Sequence, residues 1–425
     1  MNMKKIKNCI VCCVVAICCT VVATVIVSCS SEEVVIQVKS EESYTLDEGE
    51  NQLVVEIPCR RAWTITGATD WCVPTTTTGM GKSSISVQVA SNGGEESRTC
   101  TMQAVSDDTR HTIKITQYGA EVITLPVVFH VLYTDPNDSL QYLDAAHLVD
   151  LLSVANDCYS GAFGGENLRV KLVPATETPT GETLAVPGVE YVQHEEAEMN
   201  CVEFMSDNSG KYVKLLWDPN RYINVMCYLF SSILDGEEGV VLGISHFPYT
   251  YTDTYLPGLT AISYSYLSLE NLSYPYCVSL NSRYIYEEKM YYTLPHELGH
   301  YLGLYHVFSE DDDEAVCIDS DYCDDTPSYN REDYLRYMAW ASQNLPYEAF
   351  LSEAFLREGC SGEQFRSVNA MDYNYGAQNQ FTADQRARVR HVLRYSPLLP
   401  TEHNGYIQRS TLHDGPLDLP IVTMK

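Results

Sequence analysis

The eleven residues from His296 to His306 read His-Glu-Leu-Gly-His-Tyr-Leu-Gly-Leu-Tyr-His, and no other stretch constrains this chain as tightly. On a helix, His296 and His300 project from one face about one turn apart. Two neutral imidazoles so placed can take two corners of a tetrahedral zinc site. Glu297 leaves the helix beside them, close enough to take a proton from a water on the metal without being a ligand. Gly303 lets the backbone turn out of the helix, because glycine adopts positive φ without steric penalty. The turn returns His306 as a third ligand. Three protein ligands leave a fourth position for water, which marks a catalytic zinc site rather than a structural one.

The extended motif resembles that of the metzincin metallopeptidases, which carry a methionine turn beneath the metal. The run Asn369-Ala370-Met371-Asp372-Tyr373, with Asp324-Asp325-Thr326-Pro327 and Phe381-Thr382-x-x-Gln385, is similar to the pappalysin branch, in particular the bacterial cytophagalysins. Leu125-Pro126-Val127-Val128-Phe129-His130-Val131 resembles the opening strand of those catalytic domains. The resemblance covers roughly residues 121–400. It implies an α/β (α+β) metzincin catalytic domain acting on protein or peptide substrates. Met371 would be an apolar floor under the zinc, and Tyr373 would donate its phenol hydrogen to the oxyanion of the tetrahedral intermediate. The plain alternative for Tyr373 is one more aromatic among 31 tyrosines. Related enzymes that cut before arginine carry an aspartate after the methionine turn. Residues 374–379 contain no acid, which removes the basis for expecting that preference.

Lys4, Lys5 and Lys7 precede an uncharged apolar run from Cys9 to Val27, the pattern of a signal peptide. A retained transmembrane anchor competes with this reading, because the run is nearly long enough to span a bilayer. Ile26-Val27-Ser28-Cys29 resembles a lipobox, which implies residues 1–28 as a lipoprotein signal and acylation at Cys29. Two or three acyl chains attach a protein stably to a membrane. Residues 29–33 then form a lipidated linker. Ser30-Ser31-Glu32-Glu33 is similar to the acidic export signal of Bacteroidetes-like surface lipoproteins, and it is equally a solvated linker. The resulting expectation is an outer-membrane lipoprotein exposed at the cell surface.

The formal charge is −30, with 57 acidic and 27 basic residues. Such a chain is repelled by nucleic acid and by bare anionic lipid, so a nucleic-acid partner is excluded. Six of the 16 cysteines lie at or before Cys29. The remaining ten form no C-x-x-C pair, so they point neither to a zinc ribbon nor to a redox motif. Some disulfides suit an extracytoplasmic protein, with pairing left open.

At this length the chain should split into two domains. From Val34 to Tyr118 short alternating runs (53–57, 62–66, 84–89, 112–116) are separated by turn clusters such as Ser91-Asn92-Gly93-Gly94. They predict a small all-β sandwich over 34–119. Trp63, Trp71, Asn92, Arg98 and the closing Ile115-Thr116-Gln117-Tyr118-Gly119 resemble the BACON domain of Bacteroidetes surface proteins. The tryptophans can contact a glycan or fill the core. Cys59, Cys72 and Cys100 could supply a blocking thiolate to zinc, or pack as small apolar residues. From 121 the pattern becomes mixed, with strands at 125–133, 168–173 and 222–230. Helices are expected at 143–158, from about Tyr292, over 346–358 and over 383–393. Pro295 marks a kink or a late start of the zinc helix. Residues 401–425 read as a tail.

Between the zinc helix and Met371 lie Glu310 to Glu314, Asp319, Asp321, Asp324 and Asp325. Carboxylates this dense are either solvated or bound to a cation. Asp321-Tyr322-Cys323-Asp324-Asp325-Thr326-Pro327 resembles the pappalysin calcium-binding stretch, so Asp321, Asp324 and Asp325 are candidate calcium ligands. Two function classes remain in view. One is a zinc endopeptidase acting on extracellular, host or dietary proteins. The other is a surface binding lipoprotein, for glycan or protein, with an inactive peptidase fold. Adhesion requires neither Glu297 nor Tyr373, and both are present.

Overall fold

The computed structural model describes residues 38–46, 48–231, 233–234, 237–238, 240–264, 266–310, 317–373, 375–401 and 413–424. The signal segment, Cys29 and its linker lie outside these residues, as do Asp311–Glu314. The chain divides into two compact units at the Val122–Ile123 junction.

The first unit is built from β1 (Val38–Leu46), β2 (Asn51–Ile57), β3 (Ala62–Thr66), β4 (Cys72–Pro74), β5 (Thr78–Met80), β6 (Ser83–Val89), β7 (Arg98–Val105) and β8 (Thr109–Gln117). They form a five-stranded sheet, β1-β8-β7-β3-β5, and a three-stranded sheet, β2-β6-β4. Strict alternation in β2 turns Leu53, Val55 and Ile57 inward. There they share one core with Ile113 and Ile115 of the other sheet. Trp63 is core: its indole N–H donates to the Gly81 carbonyl at 2.9 Å. Gly79 is required beside it, since a Cβ there would lie 2.1 Å from the ring. Trp71 is half-buried beneath the Arg98 guanidinium, 4.2 Å away. Asn92 donates to the carbonyls of Glu96 and Tyr118, and Arg98 to the Gln117 side chain. The residues that carry the BACON resemblance are therefore the polar ties of this sandwich. Cys59, Cys72 and Cys100 are buried in its core. Burial pushes the Cys72 thiol up to about 12, so it packs as a neutral group.

The second unit is mixed α/β. In order it has β9 (Ile123–Tyr133), α1 (Ala145–Ser160), β10 (Val170–Pro174), β11 (Val189–Gln193), β12 (Glu198–Met199), α2 (Cys201–Ser206) and β13 (Ile223–Phe230). Two short ribbons, β14 (Ile233–Leu234) with β15 (Glu237–Glu238) and β17 (Tyr249–Tyr251) with β18 (Thr260–Ile262), flank β16 (Gly243–His246) in sequence. Then come β19 (Val278–Asn281), α3 (Met290–Tyr301), α4 (Arg331–Asn344), α5 (Tyr347–Ala354), β20 (Leu356–Glu358), β21 (Gln364–Arg366), α6 (Ala383–Tyr395) and β22 (Thr423–Met424). The main sheet runs β10-β9-β13-β19-β16-β22, with β11 also on β9 and β12 on β13. The pairs on β9 and β13 are parallel; β16 runs antiparallel to both β19 and β22. All eight residues of β13 are buried, as expected of a parallel strand covered on both faces. Helices α1 and α3 pack on each other, and α3 also rests on β16 and β19.

Four elements differ from the sequence expectation. The helix of the histidine motif starts at Met290, before Tyr292, and carries Pro295 inside it. Helix α4 was not anticipated. The helix expected over 346–358 stops at Ala354, and Leu356–Glu358 pairs as a strand with β21. The expected tail ends in β22, which adds to the main sheet, so that sheet extends beyond residue 400. A two-residue strand carries no periodicity by which to be read. Among the described residues no helix is long and apolar enough to cross a membrane.

Candidate metal centre

Helix α3 enters through a tight first turn, in which the N–H groups of Met290, Tyr291 and Tyr292 donate three residues back. Pro295 has no N–H to contribute, and its carbonyl accepts the Tyr159 hydroxyl of α1 at 3.1 Å. This seats the following residues against the core. His296, Glu297 and His300 are all buried.

Each of the three imidazoles is tethered through Nδ1. His296 Nδ1 donates to the Ala370 carbonyl and His300 Nδ1 to the Leu304 carbonyl, both at 2.7 Å. His306 directs Nδ1 at the Glu310 carboxylate. A carbonyl can only accept, so the proton of His296 and of His300 sits on Nδ1, and Nε2 presents a lone pair. The Nε2 of His300 lies 3.1 Å from the Nε2 of both His296 and His306. The three ligand atoms lie within 4.8 Å of one another, and no other such group of three is found among the described residues. Burial lowers His296 to about 4, and burial together with the neighbouring imidazoles holds His300 well below its ordinary value. Protons therefore do not relieve the crowding of lone pairs. A cation bound by all three does, and three nitrogens with orienting Nδ1 partners are the donor set zinc takes.

The positions that bend the chain here are dictated by space. Gly303 has φ +90°, and a Cβ on it would lie 2.8 Å from Val392 of α6. Its carbonyl accepts Arg388 Nε at 2.7 Å, which fixes the turn that returns His306. A Cβ on Gly299 would lie 2.5 Å from the Met371 sulfur. Met371 is thus pressed against the helix that carries the histidines and is fully buried. Its N–H donates to Asn369 Oδ1, and Asn369 and Gln385 exchange two side-chain amide hydrogen bonds at 2.9 and 3.0 Å. Gln385 also completes the capping box of α6 with Thr382.

Glu297 points its carboxylate into a cleft of about 460 Å³ lined also by His296, Tyr373, Gly243 and Arg331. Its Oε2 is buried with no hydrogen-bond partner among the described residues, and burial raises its pKa well above the usual carboxylate range. Gly243 of β16 makes the space, since a Cβ there would sit 2.5 Å from Glu297 Cγ. The Tyr373 ring lies 4.5 Å from that of His306 and 5.2 Å from that of His296. Burial first and then the Glu297 charge push the phenol up, while Arg331 opposes them, so Tyr373 stays a hydrogen-bond donor.

Asp372 and Arg357 were not singled out from the sequence. Asp372 is buried, accepting from Tyr329 at 2.5 Å, from the Tyr373 N–H at 2.7 Å and from Ser367. It pairs with Arg357 at 3.4 Å. Arg357 also donates to the carbonyls of Tyr373 and Tyr375, so the backbone that presents Tyr373 is gripped on both sides. No short-range pattern could disclose this.

The acidic segment is placed differently from the metal centre. Asp321 is buried and accepts from the Cys323 N–H and the Thr326 hydroxyl. Burial outweighs these hydrogen bonds and raises it to about 7. Asp324 and Asp325 are exposed, and Asp325 accepts the Asp384 N–H at the start of α6. Cys317 and Cys360 form a disulfide.

Residues 207–394 match peptidase family M43, described as "Pregnancy-associated plasma protein-A", and residues 61–118 match BACON, described as "Putative binding domain, N-terminal". Curated relatives include extracellular metalloproteases of Arthroderma otae and Trichophyton verrucosum, each 35% identical over 99 residues, which is 23% of this chain. The matched stretch spans 29% of those relatives' length. Among solved structures, mature mirolysin of Tannerella forsythia in complex with a cleaved peptide aligns with a TM-score of 0.46 and 20% identity, over 69% of this chain and 99% of that one. Mirolysin with a bound compound aligns with a TM-score of 0.44 and 21% identity, over 64% and 92%. Over residues 207–394 the chain is thus similar to the M43 family and over residues 61–118 to BACON, and the histidine triad lies within the first of these stretches.

Metal analysis of the purified protein should give one zinc per chain, and His300→Ala, which removes the central nitrogen, should lose it. Stripping the ion should lower the melting temperature, because binding to the folded state alone stabilises it by mass action. Zinc-free protein that melts as the untreated protein does would refute the assignment.

Proposed function

We propose that this chain is a zinc-dependent endopeptidase that hydrolyses extracellular, host or dietary proteins at a bacterial cell surface. The observation that carries the reading is the buried Glu297 carboxyl, its Oε2 without a partner among the described residues, beside three imidazoles whose Nε2 atoms converge at the wall of an open cleft. A bound zinc would lower the pKa of a water and polarise the scissile carbonyl. Glu297 takes the proton given up by the attacking water and delivers it to the leaving nitrogen. An oxygen without a protein partner is free for that exchange. Tyr373 donates its phenol hydrogen to the oxygen on which negative charge develops. Met371 keeps the far side of the imidazoles apolar and dry.

Glu297→Ala should retain zinc and lose cleavage of a peptide library by orders of magnitude. Tyr373→Phe should lower turnover by about 100-fold with zinc retained, since one oxyanion donor contributes roughly this much. Full cleavage by zinc-loaded Glu297→Ala would sink the mechanism.

The lipobox resemblance supports attachment to the outer membrane through acylated Cys29, with the catalytic unit facing outward. Cys29→Ala should leave an unprocessed precursor that no longer partitions into detergent. An unmodified mature N-terminus elsewhere would refute this.

The resemblance of Asp321–Pro327 to the pappalysin calcium-binding stretch supports a calcium ion proposed on Asp321, Asp324 and Asp325 with backbone carbonyls or waters. Binding would have to draw these carboxylates together, since only the histidine triad forms a close ligand group among the described residues. Asp384 adds a further carboxyl beside Asp324 and Asp325, raised first by burial and then by the Asp325 charge. The melting temperature should rise with added calcium and hardly with magnesium, which demands a tighter octahedron. A melt indifferent to calcium would leave Asp325 as an acceptor at the α6 N-terminus and nothing more.

A further inference from the structure

Arg331 stands out in a chain with 57 acidic and 27 basic residues, because it lines the metal cleft yet pairs with no acid among the described residues. It lines the same cleft as His296, Glu297 and Tyr373. Its guanidinium lies 5.0 Å above the Tyr373 ring and 5.4 Å above that of Phe308. One ring therefore separates it from His306 and His296. Its Nε is buried and has no hydrogen-bond acceptor among the described residues, nor does Arg331 form an ion pair with any of them. Of the other charged groups on the cleft wall, two have partners, while Glu297 Oε2 has none among the described residues. Asp372 is taken by Arg357, Tyr329 and Ser367, and Lys289 pairs with Glu287 at 3.1 Å. Asp333, two residues on, pairs with Arg336. Arg331 is also the first residue of α4, where the helix dipole disfavours a cation. Among the described residues its contacts are the two aromatic faces, which leave its charge without an anion.

We propose that Arg331 recognises a carboxylate on the substrate residue next to the scissile bond, so that the enzyme selects acidic peptides or peptide ends. A partly desolvated guanidinium with free donors binds a carboxylate through paired charge-assisted hydrogen bonds, which a neutral amide cannot match. Stacking on Tyr373 and Phe308 fixes the plane of the fork before substrate arrives. The carboxylate can come from an aspartate or glutamate side chain or from a free C-terminus, and the chemistry is the same. The inference rests on the peptidase reading, and its test separates the two.

The test uses zinc-loaded protein and peptides identical except for Glu, Gln or Lys on either side of the cleaved bond, each with an acid or an amide C-terminus. The wild type should cleave the Glu peptide, or the peptide with the free C-terminal acid, about ten- to a hundred-fold better in kcat/KM than its neutral counterpart, the range expected for one charged hydrogen-bonding pair. The acid–amide comparison identifies the source. Arg331→Gln should bring that ratio close to one, and Arg331→Lys should restore part of it. Binding to Glu297→Ala protein, followed by calorimetry, should show the same preference and its loss when Arg331→Gln is added. A wild-type ratio near one overturns the inference and leaves the peptidase reading intact. So does an Arg331→Gln variant that slows all peptides equally, which would make the residue a support for Tyr373. If no peptide is cleaved the peptidase reading fails, and the calorimetry alone then decides carboxylate recognition.

Discussion

The second unit is organised around three Nδ1 hydrogen bonds. Each fixes one imidazole, and each acceptor comes from a different piece of chain: the methionine turn through Ala370, the turn after α3 through Leu304, and the following loop through Glu310. Rotating any ring would free a buried donor and carry its Nε2 away from the other two. Leaving a buried polar group unpaired costs about 1–3 kcal/mol. Ring orientation is thus set before a metal arrives, and the approach of α3, its exit turn and the methionine turn is set with it.

The methionine turn in turn depends on polar groups that the core has had to accommodate. Asp372 and Arg357 are both about 2% exposed. A buried pair of this kind contributes little net stability, since desolvating both ions offsets most of their attraction. Removing either partner is another matter, because the remaining charge would be stranded. What the pair provides is position: Arg357 binds the carbonyls on either side of residue 374 while Asp372 binds the N–H of Tyr373. On the other flank the Asn369–Gln385 amide exchange ties the same turn to α6. Met371 can then press on Gly299 without the turn relaxing away.

How much of this could be read from the sequence follows from the range over which each signal acts. The histidines and Gly303 were legible because metal geometry and a positive φ impose fixed local spacings. Thr382 and Gln385 stood out only as part of a family resemblance, and neither their capping box on α6 nor the hold of Gln385 on Asn369 was legible in the sequence. Strands with strict alternation, such as β2 and β6, were read directly. Helix α4 was not, because its three buried residues, Tyr334, Met338 and Ala341, are set among charged and exposed ones and give only a thin stripe. Asn330, which caps it, was the available signal. Gly243 and Arg357 lay beyond local reading altogether. Each matters only through what the fold brings against it: the Glu297 side chain in one case, the Tyr373 and Tyr375 carbonyls in the other.

Glu297 shows where the fold departs from its own rules. Asp372 is buried with a matching cation, Arg357, whereas β16 gives up a side chain at Gly243 so that a carboxyl whose Oε2 has no partner among the described residues can be buried. Burying a carboxyl oxygen without a partner is unfavourable, and packing alone would favour an apolar residue. Local arrangements that cost stability concentrate where function needs a group held ready. Here the held group is the carboxyl that the proposed reaction needs, buried beside imidazoles that burial keeps neutral. A carboxyl raised in this way is a ready proton acceptor, which suits the transfer proposed for it.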